Sequence, residues 1–236
     1  MGFYDQNIVL DLEFTATRSE EAHALGLYNE VIEIGAVKLD SAYNELGRIS
    51  VMVKPQFVSG VSGFVHALTG ISDSELVSAP VLGDALAQLS SWIGEGRSRV
   101  VTWSEADLSQ LRTECAAKGI EFDSLPTRWM DIQRLYPRIT DGGKRKIALG
   151  VAAEQCGIEV ERNRAHRALY DADVTAQVLR SMASGDCAVQ AKLLRSTVRH
   201  TTDGPALSSS LGGRCSGLAG LLASLQEQEC DCELAS

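Results

Sequence analysis

Residues 7–14, Asn7-Ile-Val-Leu-Asp11-Leu-Glu13-Phe14, set two carboxylates inside an apolar run. Ile8, Val9, Leu10, Leu12 and Phe14 give the run the texture of a buried strand. Side chains alternate along a strand, so Asp11 and Glu13 point the same way. Ionised carboxylates beside an apolar core are disfavoured by desolvation and by their mutual repulsion. Two arrangements remove that penalty: an edge strand with one solvated face, or a divalent cation held between the pair. These residues alone leave both open.

The chain has 236 residues, 44% hydrophobic and 22% charged, which suits one well-filled soluble domain with extra segments. No apolar run reaches the roughly 18 residues of a membrane span. The N-terminal residues lack the basic and apolar regions of a signal peptide. A cytoplasmic protein with no membrane partner is expected, its six cysteines reduced. Cys230-Asp-Cys232 is too closely spaced for a zinc knuckle and has no matching His/Cys pair. The net charge of −9 argues against broad electrostatic binding of nucleic acid. Residues 128–167 nevertheless carry nine Lys/Arg against five Asp/Glu, including Lys144-Arg145-Lys146. Such a strip is either a solvated face or a local hold on a polyanion.

Strands are expected over residues 31–39 and 48–53 after the first, the short 40–47 connection suggesting an antiparallel meander. Residues 16–29 read as a loop over the end of the first strand. Ser72-Asp-Ser-Glu75 has the form of a capping box. A helix follows Pro80 with Leu82, Leu86, Leu89 and Ile93 on its apolar stripe. Residues 99–103 and 128–132 read as fourth and fifth strands. Helices are expected from Ser104 to Gly119, over 147–156, and over 165–182. Three meander strands followed by alternating helix and strand indicate an α/β domain with a mixed five-stranded sheet flanked by helices. Breaker-rich texture near residue 200 divides the chain into a domain over 1–199 and a flexible tail over 200–236, with a short docking helix over 218–225.

Three further groups could carry chemistry. Asp107, in Trp103-Ser-Glu-Ala-Asp107, follows the fourth strand; it could equally close a capping box with Ser104. Asp171 lies on the Ala168, Asp171, Thr175, Val178 face of the last helix, a stripe that otherwise looks buried, and His166 precedes it by about a turn and a half. Leu68-Thr69-Gly70-Ile71 sets an apolar wedge beside a hydroxyl and a glycine, suited to a flat ligand such as a base or to a plain turn.

Taken in order, these motifs resemble the DEDDh group of the proofreading-exonuclease (DnaQ-like, RNase T) superfamily. The resemblance covers about residues 6–183. It rests on Asp11-Leu-Glu13-Phe-Thr15, Glu33-Ile-Gly-Ala-Val37, Phe64-x3-Leu-Thr-Gly-Ile71, Trp103-x3-Asp107 and His166-Arg-Ala-Leu-Tyr-Asp-Ala172. The wording is most similar to the KapD-like and histone-mRNA exonuclease-type branch. Many relatives carry Asn-x-x-Phe-Asp where this chain has Trp-Ser-Glu-Ala-Asp, which makes Glu105 a rival to Asp107.

The resemblance implies an RNase H-like fold and a 3′-5′ exonuclease acting on single-stranded nucleic acid 3′ ends, RNA favoured over DNA. It further implies two Mg²⁺ or Mn²⁺ ions held by Asp11, Glu13, Asp107 and Asp171, with His166 as general base. Phe14, Thr15, Leu68 and Thr69 would hold the terminal nucleotide. Lys144, Arg145 and Lys146 would track upstream phosphates. Two other readings have the same fold: a regulatory or scaffolding protein of KapD type, and a DNA polymerase proofreading exonuclease.

Overall fold

A computed structural model describes residues 4–140, 142, 143, 145–161 and 164–186. The chain divides into two units, Met1–Leu193 and Leu194–Ser236, and every described residue lies in the first. In chain order the elements are β1 (Gln6–Ala16), α1 (Glu20–Ala24), β2 (Asn29–Asp40), β3 (Glu45–Met52), α2 (Gly63–Thr69), α3 (Asp73–Val77) and α4 (Leu82–Ile93). Then follow β4 (Ser98–Thr102), α5 (Ala106–Lys118), β5 (Trp129–Asp131), α6 (Ile132–Thr140), α7 (Leu149–Gln155) and α8 (Ala168–Ser184). The strands form one five-stranded sheet in the order β3-β2-β1-β4-β5. β1 pairs antiparallel with β2 and β2 with β3, whereas β1–β4 and β4–β5 are parallel. This is the expected mixed sheet.

β1 is central, and the two faces of its sequence feed two cores. Ile8, Leu10 and Leu12 pack with Leu82, Leu86, Leu89 and Ile93 of α4 and Leu111 of α5. Val9, on the other face, packs with Val37, Val101 and the apolar side of α8. Period-2 alternation carries that second face from Val9 to Asp11 and Glu13. The apolar layer against α8 therefore ends in carboxylates, at the C-terminal end of β1.

Two expectations are corrected. The loop expected over 16–29 contains α1, whose N-cap Ser19 accepts the Ala22 N–H at 3.3 Å. A five-residue helix with two glutamates in its first turn carries too few apolar positions for periodicity to show. Similarly, α6 follows β5 directly and was not foreseen. Pro137 inside it removes a helix hydrogen bond, and burial of Ile132, Tyr136 and Thr140 at i, i+4, i+8 spacing holds it. The expected tail over 200–236 and the helix over 218–225 lie outside the described residues, as do Cys230 and Cys232.

A buried ionic knot ties α5 to the start of β2. Lys118 Nζ lies 2.7 Å from Glu30 Oε1 and 2.7 Å from Glu114 Oε1, with side-chain exposures of 4% for the lysine and 0% for both glutamates. Glu30 also accepts the N–H groups of Gln56 and Phe57, and Glu114 accepts that of Val31. Removing the shared cation strands two carboxylates without water. Lys118→Met should therefore lose about 3–5 kcal/mol of unfolding free energy in a urea titration. A loss under about 1 kcal/mol would show that water reaches these charges.

Candidate active site

The site forms where β1, α5 and α8 bring carboxylates to one edge of the sheet. Asp11 pairs across the ladder with Gly35, and Glu13 with Glu33. Gly35 is the reason α8 can approach. A Cβ added there would lie 2.1 Å from the Ala168 carbonyl carbon and 2.1 Å from the Leu169 nitrogen. With hydrogen in that place, the first turn of α8 rests on β2 and brings Asp171 beside the β1 pair.

Glu33 fixes the same helix end. It is buried, at 1% exposure, and sits opposite Glu13, a placement that repulsion alone would disfavour. Arg167 clamps it bidentately, Nε to Oε2 at 3.0 Å and the terminal nitrogen to Oε1 at 3.1 Å. The Ala168 N–H donates to Oε2 at 3.1 Å, and the Ser50 hydroxyl to Oε1 at 2.8 Å. This clip was missed as a functional feature, although Glu33 and Arg167 both stand inside motifs quoted from the sequence. The missing signal was the pairing between them, which spans 134 positions.

His166 lies just ahead of the clip with φ 65°, in the left-handed region. Its N–H donates to Asp171 Oδ2 at 3.2 Å. Ligand-capable atoms of Glu13, His166 and Asp171 all lie within 4.8 Å of one another. The histidine is exposed and the two carboxylates are half-buried.

Asp107 completes the group from the first turn of α5 and is 6% exposed. Its Ser104-based capping box is not formed: Ser104 Oγ accepts the Ala106 N–H, and Glu105 stands at the N-cap. Glu105 itself is 62% exposed in its side chain and ion-paired to Arg134 and Lys146. Asp107, not Glu105, faces the other carboxylates.

The electrostatics report this convergence. Burial pushes Asp11 well above the usual carboxylate range, and the charges of Asp107, Asp171, Glu13 and Glu33 add to the effect in that order. Glu13 is raised from 4.5 to about 8, first by burial and then by Asp171, Glu33 and Asp107, with Arg167 opposing. Asp107 is raised from 3.8 to about 7 by burial, with N–H groups of Asp107 and Leu12 opposing. Asp171 is raised by burial, against the pull of the His166 N–H. These groups hold protons in the fold that the unfolded chain releases. The contribution of these four groups to metal-free stability should thus be full below about pH 4 and fall as pH rises towards about 8. Melting curves in EDTA across that range check this; a melting temperature that climbs towards pH 8 would contradict it.

The residues expected at the nucleotide differ in exposure. Phe14 is 37% exposed beside Glu13, whereas Thr15 is buried at 1%. Leu68 is half-buried. The Thr69 hydroxyl donates to the Val65 carbonyl at 2.8 Å and accepts the Ile71 N–H at 3.0 Å, so it holds the end of α2. Arg145 and Lys146 are exposed, and Lys144 lies outside the described residues.

Comparison with known proteins agrees with this geometry. The model of an exonuclease family, RNase_T, matches residues 8–179. The 3′-5′ exoribonuclease 1 of Rattus norvegicus is 23% identical over 194 residues, covering 79% of this chain and 55% of that protein. A DNA polymerase III PolC-type of Caldanaerobacter subterraneus subsp. tengcongensis is 26% identical over 174 residues, covering 73% of this chain and 12% of that protein. This chain thus spans about half the length of the first relative and a small part of the second. The nuclease domain of 3′hExo, a DEDDh family member bound to rAMP, superposes with TM-score 0.69 at 20% identity, over 79% of this chain and 96% of that one. The sheet order, the four converging carboxylates with their histidine, and the family match lead to one conclusion: the chain belongs to the RNase_T exonuclease family.

Proposed function

We propose that the chain is a divalent-metal-dependent 3′-5′ exonuclease that trims the 3′ end of single-stranded nucleic acid, RNA in preference to DNA, and releases nucleoside 5′-monophosphates. The observation that carries the reading is the set of Asp11, Glu13, Asp107 and Asp171, all raised above the usual carboxylate range by burial. Such a group is poised to gain from cations. The donors are carboxylate oxygens, which suit Mg²⁺ or Mn²⁺ better than zinc. Asp11, reached by the fields of the other three, would hold such ions together with Glu13, Asp107 and Asp171. Bound there, the ions would supply Lewis-acid activation of water and neutralise charge on the leaving oxygen.

The chain's own residues have distinct parts. His166, exposed beside Glu13 and Asp171, takes a proton at a ring nitrogen from the attacking water. Asp171 accepts the His166 N–H and so aims the loop that carries the base. Glu33 and Arg167 hold the helix end beneath both. Attack at phosphorus breaks the bond to the upstream 3′ oxygen, freeing the terminal 5′-monophosphate. Phe14 and Leu68 offer apolar surface to the terminal nucleotide, with the backbone at Thr15 and Thr69 lining its place. Lys144, Arg145 and Lys146 meet the phosphates further upstream.

The name of the rat relative, an exoribonuclease, favours RNA; the PolC-type match favours a second reading on DNA ends. Matched 3′-labelled RNA and DNA strands with Mg²⁺ separate them, faster loss of the RNA label supporting the first. On the preferred strand, His166→Ala should lose about 10²–10⁴-fold in rate while Mg²⁺ still raises the melting temperature. Loss of the Mg²⁺ shift would make His166 a ligand rather than a base.

A further inference from the structure

Two cations from different segments converge on one exposed carboxylate at the rim of the site. Arg134, in the first turn of α6, lies 3.5 Å from Glu105 Oε2. Lys146, between α6 and α7, lies 3.4 Å from Glu105 Oε1 and 3.9 Å from Asp131 Oδ2. Each oxygen of Glu105 thus has its own cation, the disposition that two non-bridging oxygens of a phosphodiester would take. The position is adjacent to the chemistry. Glu105 is two residues before Asp107, and the charge of Asp131 bears on Asp107 directly. The parallel strands β1, β4 and β5 end along the same edge.

The three side chains are 57%, 44% and 62% exposed, for Arg134, Lys146 and Glu105. Their separations are loose for charge-assisted hydrogen bonds. Ion pairs this exposed contribute little, so either cation can exchange partners at small cost. A phosphodiester arriving at the rim would meet two donors and two carboxylates, the exposed Glu105 and the more buried Asp131.

We propose that Arg134 and Lys146 form a binding pair for a backbone phosphate upstream of the bond that is cut, and that Glu105 is its resident competitor. In the free protein Glu105 occupies the pair; a strand of two or more phosphodiesters displaces it. The pair selects for strand length, since a dinucleotide has no second phosphodiester to offer. The inference rests on the exonuclease reading, but its test does not require hydrolysis.

The test is fluorescence anisotropy of a labelled short single-stranded RNA in EDTA, with unlabelled dinucleotide as a competitor. Glu105→Gln should tighten oligonucleotide binding about fivefold, the size expected when one exposed opposing charge is removed. Arg134→Ala and Lys146→Ala should each weaken it by a similar factor and lower the salt slope by about 1. Dinucleotide affinity should not follow these changes. Asp5→Asn, which makes the same charge change in an exposed ion pair at the opposite end of β1, serves as the control and should not tighten binding. Equal or weaker binding by Glu105→Gln, or tightening matched by Asp5→Asn, overturns the proposal. So does a change in dinucleotide affinity as large as that for the strand. If the wild type binds the strand in this pattern but hydrolyses nothing with Mg²⁺, the exonuclease reading fails and the phosphate pair stands.

Discussion

Gly35→Ala should cost this protein its activity while touching none of the proposed ligands. One methyl group there would meet the backbone of Ala168 and Leu169 at 2.1 Å, a separation no flexible side chain can relieve. The first turn of α8 must lift from β2, or β2 must bend away from β1. Either movement loosens the Glu33–Arg167 clip and draws Asp171 and the His166 loop away from Asp11. Overpacking at a well-filled contact destabilises by about 1–3 kcal/mol. Displacement of reacting groups by about 1 Å can lower a rate about 10²-fold. A folded protein with reduced melting temperature and about a hundredfold lower hydrolysis is expected. Gly150→Ala in α7, where an added Cβ meets nothing within 4 Å, should leave both nearly unchanged. Full activity in Gly35→Ala would mean that the helix end is not held where the structure places it.

Asp11→Asn has the larger effect on rate and the opposite effect on stability. Its carboxylate is disfavoured by burial and then by Asp107, Asp171, Glu13 and Glu33. An amide of the same shape removes the charge at the centre of that repulsion. In EDTA near pH 8 the variant should melt higher than the wild type, because the remaining carboxylates ionise against a weaker field. With Mg²⁺ its hydrolysis should be lower by about a thousandfold or more, since the carboxylate amid the other proposed cation ligands is gone. A variant that is both inactive and less stable in EDTA would point to a structural role for Asp11. Opposed signs on the two readouts separate ligand from scaffold.

The strands and the site were legible for the same reason. The run through Ile8, Leu10 and Leu12 is apolar enough to mark a buried strand, and alternation then gives Asp11 and Glu13 a common face. The stripe of Leu82, Leu86, Leu89 and Ile93 in α4 emerged likewise, all four being buried. What escaped lies in interactions that sequence order does not record. Gly35 reads as an ordinary strand glycine until α8 is seen resting on it. Glu33 reads as a polar interruption of β2 until Arg167 arrives from the far end of the domain. The helix α6 was hidden by Pro137, because its stability comes from tertiary burial of Tyr136 rather than from propensity. Lys146 shows the reverse case: the sequence marks a basic strip, and only the structure shows that Glu105 and Asp131 already engage its last residue.

Whether the carboxylate cluster at the end of β1 holds divalent cations that drive removal of 3′-terminal nucleotides is read most directly from the products of a 3′-labelled single-stranded RNA incubated with wild type and with Asp11→Asn, in Mg²⁺ and in EDTA. Labelled nucleoside 5′-monophosphate is expected from the wild type in Mg²⁺ only, and almost none from the variant in either condition. Equal release in EDTA, or undiminished release by Asp11→Asn, would contradict that role.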